Sequence, residues 1–213
     1  MREELRRIET WAKDFFENVQ GSHDWDHTCR VFRLCMRIGK VEGADLDVLT
    51  VAAYLHDIGR RWQDESKGRV CHAKKGAEIA RTLLADFPLA AVKKKNILHC
   101  IRTHRFRDGS VPRTTEARVL FDADKLDAMG AIGIARVFQF AGEVGARLHN
   151  PAIDPQVSES YTDNDTGFRE YKLKLSKLKD RMLTDEGRRM ADTRHQFMAL
   201  FFQRFLEEHE ALT

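Results

Sequence analysis

The amino-acid sequence predicts an all-α fold, for three reasons. Apolar residues recur at spacings of three and four in several long segments, which is the pattern of amphipathic helices. No segment alternates between apolar and polar residues convincingly enough to predict a sheet. Glycine and proline interrupt the helical pattern at intervals, as at Gly21, Gly59 and Pro112, where helices would end. We therefore expect a bundle of helices with short connections.

The expected helices cover most of the chain. Leu5, Ile8 and Phe16 share one apolar stripe of the first helix, and Ser22 or Asp24 can cap the second. The third helix is apolar almost throughout, so it should be central, and Gly59 is a suitable residue to end it. The predicted helices span, in chain order, about residues 3–19, 24 to at least 38, 45–58, 72–86, 89–103, 116–128, 130–148, 168–182 and 185–209.

Three polar segments should connect these helices without regular structure. Residues 60–70 read as a polar loop, and residues 108–115 contain Asp108-Gly109 and a proline. The longest polar stretch, residues 150–166, contains two prolines and few apolar residues. Loops of this length are often functional, so we expect a mobile loop or lid there.

The composition is that of an ordinary globular protein. With 213 residues, of which 42% are hydrophobic, the chain can form one domain with a single core. We expect a domain over residues 1–213, with its core at about 22–148 and C-terminal helices at 167–210. No run approaches the ~18 apolar residues of a membrane span.

The chain also shows no sign of export. Its first residues are charged and no apolar run follows them, so we expect no secretory signal and a cytoplasmic location. The four cysteines, at positions 29, 35, 71 and 100, are scattered. Reduced, buried thiols are the better interpretation than a zinc site or a disulfide framework.

Positive charge is concentrated in one part of the chain. The net charge is only +3, but residues 60–107 contain 13 basic and four acidic residues. These cations could be solvated helix faces, or they could form a positive rim for a polyanionic substrate. The strongest candidates for phosphate contacts are Arg60, Arg61, Lys74 and Lys75. A nucleic-acid partner is not indicated, because no basic patch is interleaved with aromatic residues.

The pair His56-Asp57 is the centre of the chemistry. It ends the apolar third helix, where neighbouring side chains point about 100° apart and can share one ion only if that ion lies off the helix end. One pair cannot hold a cation alone, so further ligands must come from elsewhere. His27 lies upstream, and an acidic cluster follows at Asp122, Asp124 and Asp127. Spacing does not decide which aspartate binds.

The order of these residues resembles the HD-domain superfamily of metal-dependent phosphohydrolases, and most closely its small stand-alone hydrolases. The resemblance covers about residues 22–205 and implies a helical bundle around a metal site. It implies His27, His56, Asp57 and Asp124 as ligands, with Asp122 as the alternative to Asp124. Two imidazoles and two carboxylates suit one divalent ion such as Mn²⁺, Mg²⁺, Fe²⁺ or Co²⁺.

Other residues acquire candidate roles from the same resemblance. Asp64 or Glu65 would act as general acid or base, and Lys125 would contact phosphate. His72 resembles a further histidine ligand of two-metal HD phosphodiesterases. His104 resembles one member of a histidine pair in the HD-GYP phosphodiesterases, whose other member is replaced here by Thr103. We therefore expect a single metal ion, with His72 and His104 near the substrate phosphates.

The resemblance implies a phosphohydrolase acting on a small phosphate-containing substrate, and a nucleotide is the expected one. The favoured reaction releases pyrophosphate from (deoxy)nucleoside triphosphates. A nucleotide phosphodiesterase or 5′-nucleotidase is the alternative within the enzyme class, and a non-catalytic nucleotide-binding module is the alternative outside it. Phe197, Phe201 and Phe205 repeat every four residues, which predicts either core packing or a homodimer face.

Overall fold

A computed structural model describes residues 2–16, 24–66, 68–105 and 109–212. The described residues contain helices and no strand, so the predicted all-α class is confirmed. The helices are α1 (Arg2–Asp14), α2 (Trp25–Val41), α3 (Leu46–Leu55), α4 (Arg60–Glu65), α5 (His72–Leu83), α6 (Ala91–Thr103), α7 (Thr115–Asp127), α8 (Gly130–Glu143), α9 (Gly167–Leu173) and α10 (Asp185–His209). Two short 3₁₀ turns, Leu175–Lys177 and Lys179–Arg181, lie between α9 and α10.

The chain divides into two compact units, Met1–Asp124 and Lys125–Thr213. The expectation of a single domain stays a prediction. Among the described residues, no helix is both long enough and apolar enough to cross a bilayer.

The first unit is built around α3, as its apolar sequence predicts. Leu49, Val51 and Leu55 are completely buried, and α3 packs against α1, α2 and α6. Asp45 caps α3 by accepting hydrogen bonds from two backbone N–H groups of its first turn. The helix ends at Leu55, and His56 to Gly59 form a turn at its carboxyl end. A rigid, buried helix therefore carries the His56-Asp57 pair.

The N-terminal cap of α2 is Asp24, one of the two residues that the sequence suggested. The carboxylate of Asp24 accepts a hydrogen bond from the backbone N–H of His27 at 2.9 Å, which places His27 in the first turn of α2. The alternative cap, Ser22, and the expected end of α1 at Val19 lie outside the described residues.

The segment after the His-Asp pair differs from the sequence-based expectation. Residues 60–65 were expected in a polar loop, but they form the short helix α4. Arg61 and Glu65 pair across one turn of it at 2.6 Å, an arrangement that supports helix. Gly59 precedes this helix where the chain passes close to α5. A Cβ atom there would lie 2.3 Å from the carbonyl oxygen of His72, so only glycine fits without displacing backbone.

The second unit contains α8, α9 and α10. Phe138 of α8 packs against Phe202 and Phe205 of α10, with ring centroids 6.2 and 5.7 Å apart. Phe202, which lies outside the predicted phenylalanine stripe, is buried. Within the stripe, Phe205 contacts Phe138, whereas Phe197 is 49% exposed. The homodimer stays a prediction. The expected helix at 168–182 ends at Leu173, because Lys174 leaves the helical backbone and two 3₁₀ turns follow.

The long polar segment, residues 150–166, has no helix, as expected. It is organised around Arg169, a buried residue of α9. The guanidinium of Arg169 donates to Asp165 at 2.7 Å and to the carbonyl of Ser158 at 2.8 Å. The second oxygen of Asp165 accepts from the backbone N–H of Tyr161 at 2.8 Å. These bonds define the loop's conformation, and its opening as a lid stays a prediction.

Candidate metal centre

Three potential metal ligands converge from three helical elements of the first unit. His27 comes from the first turn of α2, His56 from the turn after α3, and Asp124 from α7. The Nε2 atom of His27 lies 3.4 Å from Nε2 of His56 and 3.5 Å from Oδ1 of Asp124. These three ligand atoms lie within 4.8 Å of one another, close enough to hold one ion. Both imidazoles are fully buried.

A second group of potential ligands adjoins the first. It consists of Asp57, His72 at the start of α5, and His104 directly after α6. The Nε2 atoms of the two histidines are 3.0 Å apart. All three residues are buried, with relative exposures of 3% or less. The sequence suggested phosphate contacts for His72 and His104, whereas the structure brings them together as a ligand cluster.

Asp57 connects the two clusters. Its Oδ2 lies 3.8 Å from Nε2 of both His27 and His56. Its Oδ1 lies 3.2 Å from Nε2 of His72 and 3.5 Å from Nε2 of His104. Each oxygen of one carboxylate therefore faces a different cluster. Together the six side chains offer two adjoining metal positions that share one aspartate.

The hydrogen bonds of the imidazoles fit metal binding. The Nδ1 atoms of His56 and His104 lie 2.7 Å from the carbonyl oxygens of Ala53 and Ile101. A carbonyl oxygen can only accept, so each Nδ1 must carry the proton. The Nε2 lone pair of each ring then points toward the other ligands. Histidine ligands in metal sites are commonly held by this kind of hydrogen bond, so the residues present fit divalent metal ions.

The electrostatic surroundings keep the ligands in their metal-binding protonation states. Burial lowers the pKa of His56 from 6.5 to about 4, assisted by the neighbouring His104 and His27. Burial also lowers the pKa of His72, to about 2. Burial alone would raise the pKa of Asp57, but Arg60 and the surrounding imidazoles outweigh it and hold that pKa well below its usual value. At neutral pH the imidazoles of His56 and His72 are therefore neutral and the carboxylate of Asp57 is ionised.

Two arginines, Arg60 and Arg105, lie beside residues of the second ligand group. The guanidinium of Arg60, which was predicted to contact phosphate, donates to Oδ2 of Asp57 at 3.1 Å. Arg105 lies nearby, with Nη1 3.4 Å from Nδ1 of His72. Arg105 was not singled out from the sequence, because its contact with His72 spans 33 residues and follows no local motif. Gln63, which bonds His72, was missed for the same reason.

The remaining candidates from the basic segment lie in varied surroundings. Arg61 and Glu65 are exposed and paired with each other, so the structure does not bring them to the ligands. Lys75 lies over the ring of Trp62, 5.7 Å from its centroid. Lys74 is exposed. Lys125 follows Asp124 on α7 and is the first residue of the second unit.

The acidic candidates lie in clearly different surroundings. Asp64, on α4, has its pKa raised by partial burial and by Asp57, against an opposing effect of Arg60. Among the three aspartates of α7, Asp124 faces His27, and Asp122 is fully buried. Asp127 pairs with Arg136 of α8 at 2.7 Å. The geometry thus favours Asp124 over the alternative Asp122.

Comparisons with known proteins agree with this arrangement. The family model of the HD domain matches residues 24–129. The Bacillus subtilis protein YpgQ is 34% identical over 210 residues, which cover 96% of this chain and 93% of YpgQ. The crystal structure of YpgQ in complex with ADP superposes with a TM-score of 0.74 at 33% identity, covering 96% of this chain and 97% of that one.

A second solved structure extends the comparison. An HD-superfamily hydrolase from Bacillus thuringiensis matches with a TM-score of 0.77 and 29% identity, over 99% of this chain and 98% of that one. The family model covers both His27 and the His56-Asp57 pair, together with Asp124. The chain belongs to the HD-domain family of metal-dependent phosphohydrolases.

Proposed function

We propose that this protein hydrolyses a phosphoanhydride bond of a nucleotide and releases pyrophosphate from (deoxy)nucleoside triphosphates. The observation that carries the proposal is the Asp57 carboxylate, which faces one ligand cluster with each oxygen and pairs with the guanidinium of Arg60. A nucleotide substrate is supported by YpgQ, a relative that was crystallised with ADP. The basic segment at 60–107 supports a polyanionic substrate.

The proposed cofactor is a pair of divalent ions in place of the single ion expected from the sequence. His27, His56 and Asp124 would hold one ion, His72 and His104 the other, and Asp57 both. Mixed imidazole and carboxylate ligands suit Mn²⁺, Fe²⁺, Co²⁺ or Mg²⁺. When bound, such ions acidify water and offset the charge that develops on a phosphoryl group.

The residues of the chain would supply orientation and charge. Asp57 holds the two clusters in a fixed relation, because its carboxylate is buried and ionised. The guanidinium of Arg60 lies beside it, 3.1 Å from Oδ2. This guanidinium would bind phosphate oxygens, for which its planar geometry is suited. Lys74, Lys75 and Lys125 are proposed as weaker phosphate contacts.

Asp64 is the proposed general acid or base. Its pKa is raised, as proton transfer near neutral pH favours, and it lies on the same short helix as Arg60. Glu65 was the alternative from the sequence, but its carboxylate is bound to Arg61 at the surface. We therefore propose Asp64 for this role and not Glu65.

A product assay tests the proposal. Purified protein loaded with Mn²⁺ would be incubated with a panel of ribo- and deoxynucleoside triphosphates, and the products separated on an anion-exchange column. We expect nucleoside monophosphate and pyrophosphate in equal amounts, and no turnover by the Asp57→Ala variant. The proposal fails if wild type and variant give the same product profile.

The same assay separates the alternatives. The segment that begins at His72 resembles a ligand segment of two-metal HD phosphodiesterases, so the panel includes cyclic nucleotides and nucleoside monophosphates. A linearised cyclic nucleotide would indicate a phosphodiesterase, and nucleoside plus phosphate would indicate a 5′-nucleotidase. Tight nucleotide binding without turnover under any of the four metals would indicate a binding module.

A further inference from the structure

Gln63 of α4 contacts a histidine of the second ligand cluster. The Oε1 atom of Gln63 lies 2.8 Å from Nδ1 of His72. The same oxygen accepts a hydrogen bond from Nη1 of Arg105. One amide oxygen is thus placed between an imidazole and a guanidinium, all three in the first unit.

The guanidinium determines which way the amide faces. Arginine has N–H donors and no acceptor, so the amide atom that faces Arg105 must be the oxygen. A reversed amide would turn its NH₂ group toward Arg105, and two donors would meet. Arg105 therefore fixes the orientation of the Gln63 amide.

The orientation of the amide in turn determines the tautomer of His72. Nδ1 of His72 faces two groups, Oε1 of Gln63 at 2.8 Å and Nη1 of Arg105 at 3.4 Å. Because the amide oxygen only accepts and is the nearer of the two, the shorter contact places the proton on Nδ1 of His72. The lone pair then lies on Nε2, which is 3.2 Å from Oδ1 of Asp57 and 3.0 Å from Nε2 of His104. The other tautomer would present an N–H to the place where a cation would bind.

Gln63 supplies His72 with the hydrogen-bond acceptor that the other two histidines obtain from the backbone. His56 and His104 obtain the same tautomer from backbone carbonyls of their own helices. His72 lies at the start of α5, where no preceding turn offers a carbonyl to its ring, and Gln63 supplies the acceptor from α4. Gln63 and Arg60 are three residues apart, so they share one face of that helix. Arg60 bonds Asp57, and Gln63 bonds His72.

We propose that Gln63 is a positioning residue for the second metal ion, and that Arg105 holds Gln63 in the required orientation. This inference rests on the proposed two-metal function. Gln63 acts through His72 and does not itself ligate the ion. Loss of a residue that orients a metal-binding histidine typically weakens metal affinity 10- to 100-fold.

The test compares Gln63→Ala and Gln63→Glu with wild type in the full-length protein. Mn²⁺ would be titrated into chelator-treated protein and both binding steps measured by calorimetry. We expect Gln63→Ala to weaken one of the two steps by about 10- to 100-fold. Gln63→Glu keeps an acceptor at the same place and should restore the affinity. Gln203→Ala, which removes an exposed glutamine of α10, is the matched control and should bind as wild type does.

A second measurement reads the tautomer directly. Nitrogen-15 spectra of labelled histidine side chains distinguish a protonated Nδ1 from a protonated Nε2, with Gln63→Glu and His72→Gln used to assign the signal. We expect His72 in the Nδ1–H form in wild type and a mixture of tautomers in Gln63→Ala and Arg105→Met. Thermal melting followed by circular dichroism would verify that each variant is folded.

The outcomes separate this inference from the function on which it rests. If wild type binds two Mn²⁺ ions and Gln63→Ala binds both equally tightly with an unchanged tautomer, the role of Gln63 is refuted and the two-metal proposal stands. If wild type binds fewer than two ions, the two-metal proposal fails. In that case an Nε2–H tautomer of His72 in wild type would refute the role of Gln63 as well.

Discussion

The guanidinium of Arg60 lies 3.1 Å from Oδ2 of Asp57, the same carboxylate oxygen that faces His27 and His56. This contact holds a cationic side chain beside the ligand that the two clusters share. It also helps to keep Asp57 ionised although the residue is buried. A substrate phosphate that approached the clusters would therefore meet a guanidinium already in place.

Replacement of Arg60 by methionine should impair catalysis more than metal binding. A charge-assisted hydrogen bond contributes about 1.5–3 kcal/mol, so we expect kcat/KM to fall by about 10- to 100-fold. Arg61→Met, which removes the neighbouring guanidinium bound to Glu65, should change kcat/KM little. Steady-state kinetics on both variants tests this contrast, and equal losses in the two would contradict the geometry.

The aspartates of α7 should differ in their effect on metal binding. Asp124→Asn removes a carboxylate that faces His27, so one Mn²⁺ should bind at least about tenfold more weakly. Asp127→Asn removes the partner of Arg136 and should leave both ions bound. It should instead lower the free energy of unfolding by about 1–3 kcal/mol. Metal analysis after equilibrium dialysis measures the first effect, and urea unfolding measures the second.

Stability of the metal-free protein should decrease as the pH falls below neutral. The pKa values of His56 and His72 are lowered in the folded state, to about 4 and about 2. Between those values and 6.5 the unfolded chain binds more protons than the folded one, so stability is lost as the pH falls through that window. From pH 6.5 to 5, each histidine contributes a loss of about 2 kcal/mol.

Urea unfolding at pH 7, 6 and 5 measures this loss. The variant His56→Asn should show a smaller dependence on pH, because the substituted residue does not titrate. A substitution of an exposed residue that does not titrate provides the control, and Gln203→Ala on α10 should keep the wild-type dependence. Equal stability of the metal-free wild type at pH 7 and pH 5 would show that these imidazoles are not held neutral by burial.

Two glycine substitutions should have opposite effects. Gly59→Ala places a Cβ atom 2.3 Å from the His72 carbonyl and 2.6 Å from the backbone nitrogen of Gly76, so we expect a loss of about 1–3 kcal/mol from overpacking. Gly142 lies within α8 with nothing within 4 Å of an added Cβ. Gly142→Ala should stabilise the protein by about 0.5–1 kcal/mol, since alanine favours helix. Thermal melting of both variants tests this pair.

The helical architecture was largely predictable from the sequence. The apolar periodicity gave most helices to within a few residues, because each one buries a stripe against the core. Helix α4 was not predicted, because none of its six residues is buried and no apolar stripe therefore marks it. Its position depends on the close approach of Gly59 to α5 and on bonds from Arg60 and Gln63 to distant residues, which no local pattern reveals.

The candidate site was only partly predictable. The structure brings together the four predicted ligands His27, His56, Asp57 and Asp124, and their role as ligands stays a prediction. The second cluster was discounted because Thr103 stands where the HD-GYP phosphodiesterases have a histidine. In the structure Thr103 donates to the carbonyl of His99 at 2.8 Å, whereas its neighbour His104 faces Asp57 together with His72. His72 and His104 come together because α5 and α6 pack against each other. The spacing of the two histidines along the sequence does not reveal this contact.

The number of Mn²⁺ ions bound per chain tests the central claim most directly. Chelator-treated protein would be dialysed against Mn²⁺, its metal content measured by mass spectrometry, and coupling between the ions examined by electron paramagnetic resonance. We predict two ions per chain with an exchange-coupled spectrum, and loss of the coupling in the His72→Ala variant. One uncoupled ion per chain at saturation, unaffected by that substitution, would contradict a two-metal centre shared by Asp57.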